Sequence, residues 1–333
     1  MIARPNEIIN LFKYQLDLIQ KGDKLSASPI SLQLEPTSFC NLNCEMCEHS
    51  FNKFGDELSL PQFIGIIDKF PYLKNLTLQG LGEPLLCKDL FLMISEAKKR
   101  KIRVGFTTNA TLLNNESAKK IINSGLDWMY ISLDALDKSL YERIRQGAKF
   151  EAVINNIKNF IKIKGNQLPH TNFWTLIMKD NIKEIPKIVA FADDLKIKKI
   201  VLQNIHNWGF ESFNSIVDTI KNNSENEFSE LINEINNIPH TVRIEIYREN
   251  KKGKQKCNWP WRSLYITASG FVTPCCMQGS DPKVINFGNV WQDDIVSILK
   301  NDRYKNFRHE LKNGCPKACI NCPAFFEQKK ITL

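Results

Sequence analysis

Three thiols stand close together in Cys40-Asn41-Leu42-Asn43-Cys44-Glu45-Met46-Cys47, spaced C-x3-C-x2-C. Thiolates on so short a loop can hold three irons of a 4Fe–4S cube and leave the fourth iron without a protein ligand. An open iron can bind a small molecule, so such a cluster is a reagent and not only a brace. Zinc is the competing reading of clustered cysteines. Structural zinc sites close four ligands, usually from two C-x2-4-C pairs or from one pair with two histidines. Here His49 is the nearby residue able to act as a fourth ligand, and the spacing favours the cluster.

A second constellation occupies the C-terminal tail: Cys257, Cys275, Cys276, Cys315, Cys319 and Cys322. Two all-cysteine clusters need about eight thiols, so one cluster is expected there. If Cys275 and Cys276 continue an extended strand, their side chains point to opposite faces and do not both ligate one cluster. Cys315 repeats the C-x3-C-x2-C spacing with Cys319 and Cys322, but no strand precedes it. Four thiolates also suit tetrahedral zinc. Cys87 and Cys276 are spare thiols. They are either small buried hydrophobes or donors that return a hydrogen atom to a substrate radical.

The elements that position these groups follow from pattern. With 333 residues, 43% hydrophobic and 24% charged, the chain suits one large α/β domain plus a smaller appendage. Between residues 30 and 206, short β-rich runs (30–35, 75–79, 103–107, 129–133, 172–177 and 199–203) alternate with amphipathic stretches (60–70, 90–99, 115–124, 150–164 and 182–195). Such alternation predicts a parallel sheet covered by helices, either an open doubly wound sheet or a partial barrel. Chemistry collects at the C-terminal ends of barrel strands. The cysteine loop follows the first strand, and four others end in Gly80-Leu81-Gly82-Glu83-Pro84, Thr107-Thr108-Asn109, Ser132-Leu133-Asp134 and Gln203-Asn204-Ile205-His206. His206 is a candidate base, since imidazole titrates near neutrality.

Ahead of the first strand, Leu11, Phe12, Leu16 and Ile19 are spaced like one face of a helix. Past residue 208 come a polar helical region (211–237), a strand-like run (242–247) and a basic linker. Ser269-Gly270 then reads as a hairpin turn between 263–267 and 271–274, ahead of helices at 293–300 and 303–312. The expected division is an N-terminal helix (1–27), a barrel (28–208), a connection (209–249) and a cluster-bearing tail (250–333).

Compartment and partners follow from composition. No run approaches the ~18–20 apolar residues that cross a bilayer, and Met1-Ile2-Ala3-Arg4-Pro5-Asn6-Glu7 lacks the plan of a secretory signal. Ten cysteines in such a chain read as metal ligands in a reducing, cytoplasmic compartment. The net charge of +9 would suit an anionic partner, but the lysines are dispersed over expected helix surfaces. Neither a membrane nor a nucleic-acid partner is expected. An iron–sulfur or zinc scaffold that binds RNA is the non-enzymatic alternative.

The cysteine triad and the Gly82-Glu83-Pro84-Leu85-Leu86 segment resemble the radical S-adenosylmethionine (radical SAM) superfamily. Leu81 separates Gly80 from Gly82, where that family usually has adjacent glycines. The resemblance implies an α/β fold with a partial (β/α)6 TIM-like barrel. It also implies a SAM-binding 4Fe–4S cluster on Cys40, Cys44 and Cys47, and an electron donor such as flavodoxin or ferredoxin. It would place Gly80, Gly82 and Glu83 near the methionine ammonium, Arg145 on its carboxylate, Ser132 and Asn109 near the ribose, and Met46 near the adenine. In the tail, Cys257, Gly270 and Cys275, with Trp259-Pro260-Trp261 and Thr273-Pro274-Cys275-Cys276, resemble the SPASM and twitch extensions that hold auxiliary 4Fe–4S clusters. Similarity to enzymes of the 2-deoxy-scyllo-inosamine dehydrogenase type implies one such cluster on Cys257, Cys275, Cys319 and Cys322. The expected reaction is hydrogen abstraction from a C–H bond by a 5′-deoxyadenosyl radical, oxidising a sugar or cyclitol alcohol with the auxiliary cluster as electron acceptor. The alternative is a peptide maturase performing oxidation, crosslinking or epimerisation.

Overall fold

The computed structural model describes residues 5–51, 55–205, 225–249, 257–277, 281–319, 322 and 328–333. Seven strands run parallel and in sequence order: β1 (Ser31–Leu34), β2 (Asn75–Leu78), β3 (Arg103–Thr108), β4 (Trp128–Ser132), β5 (His170–Ile177), β6 (Lys199–Asn204) and β7 (Arg243–Glu249). The last of these was expected in the connection, but it pairs with β6 and prolongs the barrel sheet.

On the other side of β1 lies β8 (Leu264–Ile266), also parallel to it, followed by antiparallel β9 (Phe271–Thr273) and β10 (Gly288–Asn289). β11 (Gln328–Thr332) pairs antiparallel with β7, so one eleven-stranded sheet runs through both domains. The expected hairpin at Ser269-Gly270 is the β8–β9 turn. It is closed by Gly270 N–H donating to Thr267 O (2.9 Å).

Helices α1 (Pro5–Gln20), α2 (Leu60–Ile67), α3 (Leu90–Lys99), α4 (Asn115–Ser124), α5 (Lys138–Ile144), α6 (Phe150–Lys164) and α7 (Ile185–Asp194) precede or follow the barrel strands. Beyond them come α8 (Glu225–Asn237), α9 (Trp259–Arg262), α10 (Ile295–Lys300) and α11 (Asp302–Asn313). Local chemistry starts and stops them. Ser59 and Gln62 form a reciprocal capping box at α2, and Asn114 caps α4. Gly125, at φ 76°, ends α4 in the left-handed region where glycine carries no Cβ penalty. α5, absent from the periodicity reading, is a short helix started by the Asp137 side chain accepting from Leu140 N–H (2.8 Å). No helix of the described residues is long and apolar enough to cross a membrane.

α1 overturns the expected orientation of its apolar face. Phe12 is 65% and Ile19 77% exposed, whereas Asn10, Tyr14 and Asp17 are buried. The buried face is polar because it clamps the chain entering β1. Asp17 accepts from Ser26 N–H (2.9 Å) and Ala27 N–H (2.9 Å), and Asn10 exchanges hydrogen bonds with the Ser28 backbone. Hydrogen bonds to a charged acceptor such as Asp17 contribute about 1.5–3 kcal/mol. Asp17→Ala should therefore lower stability by about 2 kcal/mol in urea titrations, and Ile19→Ala should stay within about 0.5 kcal/mol of the parent.

Candidate active site

The loops after β1 to β4 converge on a cavity of about 250 Å³. Cys40, Cys44, Cys47, Met46, Gly80, Gly82, Glu83, Asn109, Ser132 and Arg145 all line it. These are all the residues named from the sequence for the SAM site. His206 lies outside the described residues.

The cysteine loop is held by its neighbours. Asn43 N–H donates to Gln146 O (2.9 Å) and Glu45 N–H to Ile144 O (3.1 Å), while Ser50 Oγ donates to Cys44 O (2.7 Å). Gly147, at φ 97°, lets the chain after α5 pass close to Asn41 O. Burial pushes the Cys44 thiol up to about 11 and Cys47 up to about 12, and raises Cys40. Such thiols become thiolates when a cation compensates their charge. All three line one cavity, and three thiols from one short loop suit a multi-iron cube better than a closed four-ligand zinc site.

The glycine-glutamate loop packs against that loop by backbone alone. A Cβ on Gly82 would overlap Thr37 O and Phe39 O, so this position has room for hydrogen only. Glu83, 3% exposed, accepts from Thr108 Oγ1 (2.6 Å), Asn109 N–H (2.8 Å) and Leu85 N–H (3.2 Å). Its carboxylate thus fastens the β2 loop to the end of β3. Asn109 Nδ2 in turn donates to Asn41 Oδ1 (3.1 Å), tying the third loop to the cysteine loop.

Arg145 reaches the cavity already paired. Its Nε and Nη2 donate to Asp134 Oδ2 at 2.8 and 2.6 Å, with both side chains buried. Desolvation opposes the guanidinium charge, but Asp134, Cys44 and Tyr141 together outweigh it and hold the group protonated. Asp134 was visible at a strand end, but its pairing with Arg145 was not, because α5 brings the two together.

A second cavity of about 360 Å³ lies beside the β8–β9 hairpin. Cys257, Cys275, Cys319 and Cys322 line it, as do Trp259 and Cys276. The premise used to separate Cys275 from Cys276 does not hold, since β9 ends at Thr273 and both cysteines follow it. A turn separates them instead. Cys275 lines the second cavity, whereas Cys276 and Met277 line both. Cys315 is exposed and lines neither, and Cys87 is buried with its thiol directed at Leu58 O. The Trp259 Nε1–H and the Tyr304 hydroxyl are buried with no hydrogen-bond partner among the described residues. Tyr304 stands within electrostatic reach of Cys257 and Cys275. Such donors are suited to the sulfurs of a bound cluster.

Two cysteine-lined cavities are what the resemblance to radical SAM enzymes with an auxiliary iron–sulfur domain implies, and comparison with known proteins agrees. Residues 34–192 match the radical SAM superfamily model, and residues 257–323 match SPASM, an iron–sulfur cluster-binding domain. The chain is 28% identical over 312 residues to the tungsten-containing aldehyde ferredoxin oxidoreductase cofactor-modifying protein of Pyrococcus furiosus, covering 87% of this chain and 86% of that one. It is 31% identical over 272 residues to a probable GTP 3′,8-cyclase of Methanocaldococcus jannaschii, covering 77% and 88%. In fold it is similar to SuiB of Streptococcus suis bound to its precursor peptide SuiA, with TM-score 0.71 at 17% identity, covering 98% of this chain and 76% of that one. The protein belongs to the radical SAM superfamily. It is a radical SAM oxidoreductase-type enzyme that uses SAM, a radical-SAM 4Fe–4S cluster and an auxiliary 4Fe–4S cluster.

Asp134→Ala should destabilise the protein by about 3–5 kcal/mol, because it leaves Arg145 charged and unpaired in the interior. Asp134→Ala/Arg145→Met should recover most of that loss in the same unfolding assay.

Proposed function

We propose that Cys40, Cys44 and Cys47 hold the cluster that presents SAM, and that Cys257, Cys275, Cys319 and Cys322 hold the auxiliary cluster. The substrate in this reading is a peptide, oxidised at a C–H bond. When bound, the two clusters supply the electron that cleaves SAM and accept the electron left on the substrate. Hydrogen abstraction to 5′-deoxyadenosine, loss of that electron and loss of a proton together make a two-electron oxidation. The observation that carries the reading is the wall of Cys276 and Met277 common to both cavities.

Support for a substrate class comes from the part of the first cavity's lining that is not assigned to SAM. Trp174, Leu176, Leu42 and Met277 form apolar surface, and among the described residues the one basic lining group is Arg145, already paired with Asp134. A nucleoside triphosphate needs free cations or an N–H cradle for its phosphates. An amino-acid side chain needs apolar surface and few charges, and this cavity supplies both. The likeness to a structure that holds a precursor peptide supports the same class. The peptide reading is therefore preferred to the sugar or cyclitol alcohol that the resemblance of the tail implied.

Anaerobically reconstituted protein given SAM and a strong reductant should form 5′-deoxyadenosine and bind about eight irons, four per cube. The Cys40→Ala/Cys44→Ala/Cys47→Ala variant should form none and retain about four irons. Candidate peptides deuterated at single Cα or Cβ positions should pass label into 5′-deoxyadenosine. Label from a sugar alcohol or from GTP, with none from peptides, would overturn the peptide reading while leaving the radical chemistry intact.

A further inference from the structure

Glu35, the first residue after β1, is 4% exposed and lines neither cavity, yet its carboxylate joins the glycine-glutamate loop of the first cavity to the turn of the β8–β9 hairpin, whose other end carries Cys275 to the second. Oε1 accepts from Leu81 N–H (2.8 Å), in the glycine-glutamate loop. Oε2 accepts from Ala268 N–H (3.1 Å), in the β8–β9 turn. The carboxylate also occupies the space a Cβ on Gly80 would need, which explains a glycine at that place in the loop. Two residues back, Gln33 points to the same side, as β periodicity requires. Its Nε2 donates to Gln79 O (2.9 Å), and its side chain also reaches the Cys276 thiol. One side chain of β1 and one just after it therefore bridge residues 79–81 to residues 268–276.

We propose that Glu35 is a positioning residue that couples the two cofactor sites, so that SAM binding at the glycine-glutamate loop tightens the hairpin leading to Cys275. The inference rests on SAM occupying the first cavity but not on which substrate follows. The physical argument is the sharing of one rigid group. A displacement of Leu81 N–H re-aims the carboxylate, and Ala268 N–H is the next donor it holds. Burial pushes the Glu35 carboxyl up to about 7, against the pull of the Ala268 and Leu81 N–H groups. Tyr265, fully buried, stands beside it and completes a site closed to solvent. A buried group with this few partners has little freedom to respond except by moving them.

The turn itself offers a way to cut the link from the other side. Ala268 is the second residue of a turn from Thr267 to Gly270, a position where proline is favoured. Ala268→Pro deletes the N–H that Glu35 accepts and suits the turn, while Glu35→Gln keeps side-chain shape and replaces one acceptor oxygen with a donor.

The experiment is hydrogen–deuterium exchange, read by mass spectrometry, on the anaerobically reconstituted holoprotein with and without SAM. In the parent, SAM should slow exchange in 79–86 and also in 264–272, the latter by about fivefold or more, the lower end of ordinary coupling between sites. In Glu35→Gln and in Ala268→Pro, protection of 79–86 should persist and that of 264–272 should vanish. Equal protection of 264–272 in parent and both variants overturns the proposal, as does its absence in the parent. Absence of SAM protection at 79–86 in the parent instead overturns the SAM-site reading, and the coupling with it. Ala268→Pro keeps the test decisive if Glu35→Gln fails to fold.

Discussion

β1 is hydrogen-bonded in parallel on both flanks, to β2 and to β8. A short strand buried on both faces must find partners for its backbone groups on each edge, or carry unpaired N–H and C=O groups in the interior. Here one edge is filled from the nearby chain and the other from the C-terminal domain. That double pairing places three adjacent strand ends together: the one carrying the cysteine triad, the one carrying Gly80 to Glu83, and the one turning toward Cys275. The first cavity opens there, and the second is lined by residues that precede β8 and follow β9, the hairpin that fills the second edge of β1. The N-terminal helix serves the same strand through its polar clamp on residues 26–28.

Much of this was legible from the residues. Strand–helix alternation has strong periodicity, and β3 to β6, α3, α4 and α6 lie where it placed them within a residue or two. Where the pattern failed, a non-local term decided. Leu11, Phe12 and Ile19 look like a core stripe, but the helix instead buries Asn10 and Asp17, because unsatisfied N–H groups at Ser26, Ala27 and Ser28 need acceptors more than the apolar residues need cover. The pairing of β8 with β1 joins segments near opposite ends of the sequence. Its three residues carry no mark of their partner.

The candidate site divides in the same way. Thiol spacing and glycine-rich strand ends lie within a few consecutive residues, so the cysteine and glycine-glutamate loops of the first cavity were legible, whereas Met46, Asn109, Ser132 and Arg145 came from the family resemblance. Asp134 under Arg145 and Glu35 under Gly80 could not, since each is a lone carboxylate in sequence and becomes informative only beside its buried partner. Glu35 had one local signal, a charged residue at the end of an apolar strand. A single acidic residue there is as readily a turn residue as a buried strut.

The wall between the cavities constrains what chemistry the fold can carry. Cys276 and Met277 present a thiol and a thioether to both cavities. Burial pushes the Cys276 thiol up to about 11, so it stays protonated and neutral near pH 7. A neutral, sulfur-rich partition does not hold ordered water the way a carboxylate or an ammonium would, but the weak S–H of Cys276 is a hydrogen-atom donor, so net oxidation needs the electron to leave the substrate radical before that thiol quenches it. The partition also lets a substrate held in the first cavity face the second without moving. A charged partition would impose its own field on an electron crossing it, whereas this one leaves the driving force to the groups on either side.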